Sequence, residues 1–211
     1  MQIFIDIETI PGPVRPELHE VKIDARLKDP DKIAAAQFEG LEDAYRKQAL
    51  DSMSGRIWCI GVAFNYGPAV ALIGDNEAAL MSLLAQAMFA AQEIPGEEVV
   101  WIGHNAVNFD MKWLWRKAHQ HDMPFIRQHI SLDRYKGNVR DTMLMWACGD
   151  SRDYTKLDTL AKFLGVGEKT PGMDGGKVYD LWMAGDAEAC AKYCGADVEL
   201  TRAVYRRLTA D

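Results

Sequence analysis

Asp6 and Glu8 stand two residues apart in the segment Gln2-Ile3-Phe4-Ile5-Asp6-Ile7-Glu8-Thr9. The residues around them are apolar and β-branched, which reads as a buried strand. Strand side chains alternate between faces, so the two carboxylates point the same way. Like charges this close repel unless one takes up a proton or a cation sits between them. The bland alternative is an exposed edge with solvated acids, and Ile3, Phe4 and Ile5 argue against it. Tyr193 and Asp197 are four apart in a helical stretch and share a face. Alone this pair carries little weight, because Tyr and Asp meet at that spacing by chance in many helices. Asp110 follows a short apolar strand at a helix start, where an acid also serves simply to face the positive end of the helix dipole. Together, a first strand, a helix start and a last helix bring four acids that suit two divalent cations. All-oxygen ligation favours magnesium or manganese over zinc. Two such ions about 3.5–4 Å apart are the usual device for in-line displacement at phosphorus.

The elements that must hold these residues follow from periodicity and breakers. A strand over residues 2–7 is stopped by Pro11, Gly12, Pro13 and Pro16. Residues 16–50 have helix-favouring composition in two segments, the second starting near Asp31 as its N-cap. Residues 56–65 read as a strand buried on both faces. Tyr66-Gly67-Pro68 turns the chain, and residues 69–73 return as a hairpin partner. Residues 76–92 form an amphipathic helix whose Leu80, Leu83, Leu84, Ala87 and Met88 stripe belongs to the core. A short strand at 99–103 precedes a helix starting near Asn108 or Phe109. Residues 143–148 and 157–164 are helical, 165–176 form a Gly-rich loop, and 187–208 make the last and longest helix. The pattern predicts one mixed-sheet α/β domain over residues 1–211, with a helical insertion at about 16–50.

Composition narrows the class. The chain has 211 residues, 48% hydrophobic and 26% charged, which is ordinary for a globular protein. No apolar run approaches the roughly 20 residues of a membrane span, so no membrane partner is expected. The N-terminus lacks the features of a signal peptide, and four cysteines stand in no zinc-like spacing. Free thiols and a cytoplasmic location are the expectation. A net charge of −7 argues against binding nucleic acid by bulk positive charge. It leaves open an acidic site whose metals supply the positive charge. Residues 112–140 carry seven basic and two acidic side chains, a local +5. That segment is either a solvated face or a surface for backbone phosphates, with Trp113, Trp115, Phe125 and Tyr135 as core or as stacking platforms.

Phe4-Ile5-Asp6-Ile7-Glu8-Thr9 resembles the first motif, Asp-x-Glu, of the DEDD superfamily of 3′–5′ exonucleases. The segment from Asn105 to Asp110 resembles the second: Asn, a spacer, an aromatic, then Asp. Tyr193-Cys194-Gly195-Ala196-Asp197 resembles the third in its tyrosine form; the histidine form would place His where Lys192 stands. Within this tyrosine (DEDDy) branch the chain is similar to stand-alone exonucleases related to the proofreading domain of B-family DNA polymerases. Residues 50–57, 173–178 and 193–201 support that likeness, which spans nearly the whole chain.

The resemblance implies an α/β ribonuclease H-like fold, a five-stranded mixed sheet flanked by helices. It implies two divalent ions, Mg2+ or Mn2+, with Asp6 bridging both, Glu8 and Asp197 completing the first, and Asp110 serving the second. Tyr193 would orient the attacking water, and the substrate would be a single-stranded DNA 3′ end, or RNA. Asn105 matches the family residue that positions the strand, and Thr9 and Lys177 are further candidates for substrate contact. A replication or repair partner is conceivable on the same grounds. The alternatives are a 3′ ribonuclease of the same branch and a non-catalytic nucleic-acid-binding module on the same fold. Other residues read as bland. Cys190 and Cys194 belong to packing, His119 and His121 to a solvated surface, and Asp141 to a helix N-cap. Lys169 and Lys177 flank the Gly-rich loop, which is either a plain surface loop or one that grips a phosphate or closes over the site.

Overall fold

The computed structural model describes residues 1–94, 96–133, 136–150 and 152–210. The chain divides into two compact units, Met1–Glu8 with Ile57–Asp211, and Thr9–Arg56.

The larger unit is built on a five-stranded sheet in the order β3-β2-β1-β4-β5. Its strands are β1 (Gln2–Ile10), β2 (Arg56–Phe64), β3 (Val70–Ile73), β4 (Val100–Gly103) and β5 (Val139–Asp141). β2 and β3 pair antiparallel as the expected hairpin. β1–β4 and β4–β5 pair parallel, with Phe4 opposite Ile102 and Gly103 opposite Asp141. β5 has only three residues, too short for any period to show, so pattern reading missed it.

Both faces of β1 are covered, and its alternation decides what each face meets. Ile3, Ile5 and Ile7 pack with Leu80, Met81, Leu84 and Met88 of α2 (Glu77–Ala91) and with Met111, Trp113 and Leu114 of α3 (Asp110–Gln120). Phe4 faces the other way. It joins Ala63, Ile102, Val198 and Tyr205, its ring edge-on to Tyr205 at 5.8 Å between centroids. The last two belong to α8 (Ala187–Thr209), capped by Asp186 through the Ala189 N–H. Asp6 and Glu8 share the parity of Phe4, so they turn toward α8. That helix approaches closely because β2 carries Gly61. A Cβ there would lie 2.8 Å from Cys194 Sγ and 2.9 Å from Val198 Cγ2.

Within the smaller unit, the helix α1 spans Pro30–Lys47. Its N-cap is Asp29, whose carboxylate accepts from the Asp31 and Lys32 N–H groups, with Pro30 as first helical residue. The cap therefore lies two residues before the expected Asp31. The first of the two helical segments expected over 16–50 is only a single 3-10 turn, Leu18–Glu20, none of it buried. Without an apolar face to bury, helical composition alone does not sustain a helix.

Two surface expectations change. Lys117, counted in the basic segment, is buried against Glu77 at 3.3 Å. Glu77 also accepts from the Ile57 N–H at 2.6 Å and meets His121 Nε2 at 2.8 Å. Lys117 is thus not available to phosphates, and His121 is not a solvated loop residue. Trp113 is core, whereas Trp115 is 38% exposed and lies against His119. Arg134 and Tyr135 of that segment lie outside the described residues. Among the described residues, no helix is long and apolar enough to cross a membrane.

Lys117→Met strips one cation from a buried carboxylate. The expected cost is about 3 kcal/mol in urea unfolding, since breaking a buried pair leaves an uncompensated charge. The double variant with Glu77→Gln, which keeps an acceptor for Ile57, should recover part of it.

Candidate active site

All the residues of the acidic cluster lie in the larger unit, and each is delivered by a different local device. β4 ends at Gly103, and beyond that point the Ile7 N–H of β1 is taken by Asp110 Oδ1 at 2.9 Å. Asp110 is the first residue of α3, so its carboxylate both faces the helix N-terminus and ties α3 to β1. The loop leading to it is held by Asp141. That residue caps α5 (Thr142–Trp146) through the Met143 and Leu144 N–H groups, as the sequence suggested. It also accepts from the Asn105 N–H at 2.9 Å and the Val107 N–H at 3.0 Å. This second role had no sequence signal, because the two segments are 36 and 34 residues away. Asn105 sits at φ 61°, a left-handed conformation that Asn tolerates better than most residues.

α8 brings Tyr193 and Asp197 to the same place, both buried, along with Cys190 and Cys194. Cys194 Sγ donates to the Asp6 carbonyl at 3.4 Å. Ligand atoms of Asp6, Glu8 and Cys194 lie within 4.8 Å of one another. Cys190 and Cys194 also hydrogen-bond Cys59, and burial helps to push both thiols up. Both thiols pack against Cys59, and the carboxylate oxygens are the harder donors of the cluster. Among the described residues all four cysteines are free.

Burial is the main cause that raises Asp6 and Glu8 well above the usual carboxylate range. For Asp6 the neighbouring Glu8, Asp110 and Asp197 add to it. Asp110 is pushed up to about 7 by burial, against the hydrogen bond from Ile7. Asp197 is raised by burial while Lys169 opposes the shift. The Tyr193 hydroxyl is raised by burial and then by Glu8, Asp197 and Asp6, so it stays a phenol. Among the described residues of the cluster, the buried Asp6 Oδ2 and Asp197 Oδ1 have no hydrogen-bond partner. Orphaned oxygens in a cluster of like charges fit a hard divalent cation.

The lysine at this cluster is Lys169, not Lys177. Lys169 Nζ donates to the Tyr193 hydroxyl at 2.9 Å and pairs with Asp197 Oδ2. Lys177 Nζ instead donates to the Gly172 carbonyl. Both flank one loop, and nothing in their spacing told them apart. Thr9 spends its hydroxyl on the Ala49 carbonyl at 2.5 Å, within the smaller unit. Asn105 lines a cavity of about 740 Å³ that also reaches His104, Tyr154, Leu157, Lys169 and Met173. His104 spans Thr142 Oγ1 and the Thr155 carbonyl, each at 2.9 Å, and burial lowers its pKa.

A five-stranded mixed sheet with helices on both faces is the architecture of ribonuclease H-like exonuclease domains. Residues 57–210 match the sequence model of a family described as predicted 3′–5′ exonucleases related to the exonuclease domain of PolB. The chain belongs to this family, and so to the hydrolytic nucleases, with nucleic acid as substrate. The matched stretch contains Asp110, Lys169, Tyr193 and Asp197; Asp6 and Glu8 precede it. No protein of curated function matches the chain.

Raised carboxyl groups make the metal-free protein sensitive to pH in a defined direction. Asp110 holds a proton up to about pH 7, whereas the unfolded chain gives it up near 3.8. Stability in EDTA should therefore fall as pH rises from about 4 to about 7. Asp110→Asn keeps an oxygen for Ile7 and does not titrate, so its melting profile should be flatter over that window.

Proposed function

We propose that the chain is a metal-dependent 3′–5′ exonuclease that removes nucleoside 5′-monophosphates from single-stranded DNA 3′ ends by a two-metal mechanism of the DEDDy type. What carries this reading is the convergence of Asp6, Glu8, Asp110 and Asp197 around two orphaned buried oxygens, beside a phenol held by a lysine. Asp6, Glu8 and Asp197 would hold one ion, and Asp6 with Asp110 the other. When bound, such ions make a water more acidic and stabilise charge on the phosphate and the leaving 3′ oxygen.

The chain's own groups do the rest. Tyr193 is a phenol, able to donate to or accept from a water and fix its line of approach. Asp110 keeps β1 and α3 in register through Ile7, so the ligand oxygens do not drift. Asp141 fixes the loop that carries Asn105, which lines the cavity. That cavity has Leu157 and Met173 in its lining, with Tyr154 66% exposed. An unstacked strand suits such a lining better than a duplex, because aromatic and apolar groups stack on bases regardless of their sequence.

The test is incubation with 3′-labelled single-stranded DNA and RNA under magnesium, manganese or EDTA. Mononucleotide release from DNA that EDTA abolishes is the expected result; faster release from RNA would make it a ribonuclease. Asp6→Asn and Asp197→Asn should remove activity while the circular dichroism stays that of the wild type. Either variant turning over at the wild-type rate would refute the ligand assignment. Tyr193→Phe should bind manganese normally in calorimetry yet turn over about 10²–10³ times more slowly, the usual loss for one positioned hydrogen bond.

A further inference from the structure

Tyr154 and Lys156 stand one residue either side of Thr155, and both line the 740 Å³ cavity. The chain is extended where it enters α6 (Leu157–Leu164), with Lys156 at φ −66° and ψ 148°. Side chains two apart on extended backbone share a side, so a ring and a cation are presented together. The ring is largely in water. Two other lysines of the lining are committed, Lys162 to Asp158 at 2.9 Å and Lys169 to Asp197. Among the described residues the Lys156 ammonium has no ion pair or hydrogen bond. His104 holds the segment between them. Its Nε2 lies 2.9 Å from the Thr155 carbonyl and its Nδ1 2.9 Å from Thr142 Oγ1 of α5. A carbonyl only accepts, so Nε2 donates. From Arg152 to Thr155 the other hydrogen bonds among the described residues run only to Asp150 and Asp153.

We propose that Tyr154 and Lys156 form a nucleotide clamp for the single strand, a base stacking on the ring and a backbone phosphate meeting the ammonium, and that His104 is the positioning residue of this clamp. Neither contact reads the identity of a base, because every base has a face to stack and every phosphate carries the same charge. Met143, Leu157, Pro171 and Met173 of the same lining shed water when a base enters. The Thr155 carbonyl sits between the two clamp residues in the chain, so holding it fixes the starting point of both side chains. A segment bonded mainly to itself would otherwise have to be ordered on binding, at a cost in affinity. His104 is also the chain neighbour of Asn105, so the clamp and Asn105 are anchored to one loop. The inference rests on the reading that the neighbouring acidic cluster cleaves a strand.

The experiment uses a short fluorescent oligothymidylate and a series in which one base at a time is removed to leave an abasic sugar. Binding is read by anisotropy in EDTA, and cleavage kinetics are read with manganese. Wild type should bind about tenfold more weakly when the stacked base is missing. Tyr154→Ala should bind the intact strand about tenfold more weakly and lose the preference at that position, and Tyr154→Phe should restore both. Lys156→Ala should flatten the salt slope by about 0.7, the value of one phosphate contact on a single strand. His104→Ala should raise KM several-fold more than it lowers kcat, and His104→Gln, which keeps a donor for Thr155, should recover KM. A loss in kcat alone, or one that His104→Gln does not recover, would make His104 a packing residue and overturn its positioning role. Wild type indifferent to every abasic position would overturn the clamp, as would Tyr154→Ala that discriminates as wild type does. Wild type that shows the base preference but releases no mononucleotide with manganese would overturn the nuclease reading and not the clamp.

Discussion

The burial of Asp6, Glu8, Asp110 and Asp197 in one cluster is the constraint around which the larger unit is organised. Carboxyl groups do not gather out of water by preference, so the elements that carry them must be held by other forces. β1 is clamped from both sides, by Ile3, Ile5 and Ile7 on one face and by Phe4 on the other. α8 is pressed against the sheet over Gly61, with Val198, Val204 and Tyr205 buried on the same helix as Tyr193 and Asp197. Apolar burial of this kind, about 25 cal/mol per Å², is what offsets the placement of acids beside it. A protein so built carries unfavourable electrostatics at this cluster.

What each acid does with its oxygens separates those committed to the scaffold from those with an oxygen left over. Asp141 spends both on four backbone N–H groups, from Asn105, Val107, Met143 and Leu144. It is a scaffold, with little left to offer a ligand. Asp110 spends one oxygen on Ile7. Asp6 and Asp197 each leave an oxygen without any hydrogen-bond partner. Commitment falls from four backbone bonds at Asp141 to a single unpaired oxygen at each of Asp6 and Asp197. The same carboxylate chemistry thus builds the loop and furnishes the cluster.

The thiols beside the cluster follow the same logic in weaker form. Cys59, Cys190 and Cys194 fill the space between β2 and α8 with small, polarizable groups. Cys194 turns its proton to the Asp6 carbonyl rather than toward the carboxylates. A larger residue at Cys194 would push α8 off Gly61, and a charged one would add to the repulsion.

The sequence by itself determined the elements with long periods and the chemistry of the acids. Asp6 and Glu8 on one strand face and Tyr193 and Asp197 on one helix face follow from spacings of two and four, which are local geometry. The hairpin, α2 and α8 were legible for the same reason. Tertiary structure decided whatever depends on partners remote in the chain. The three-residue β5 exists because β4 pairs with it. Lys117 is buried because Glu77, forty residues earlier, meets it. Asp141 became a four-way acceptor only where the loop from Gly103 to Asp110 folds over it. Lys169 rather than Lys177 reaches Tyr193 because Asp158 anchors one end of their loop, while Gly172 takes the other lysine. Periodicity reports which way a side chain points on its own element. Only packing of whole elements against one another fixes what it meets there.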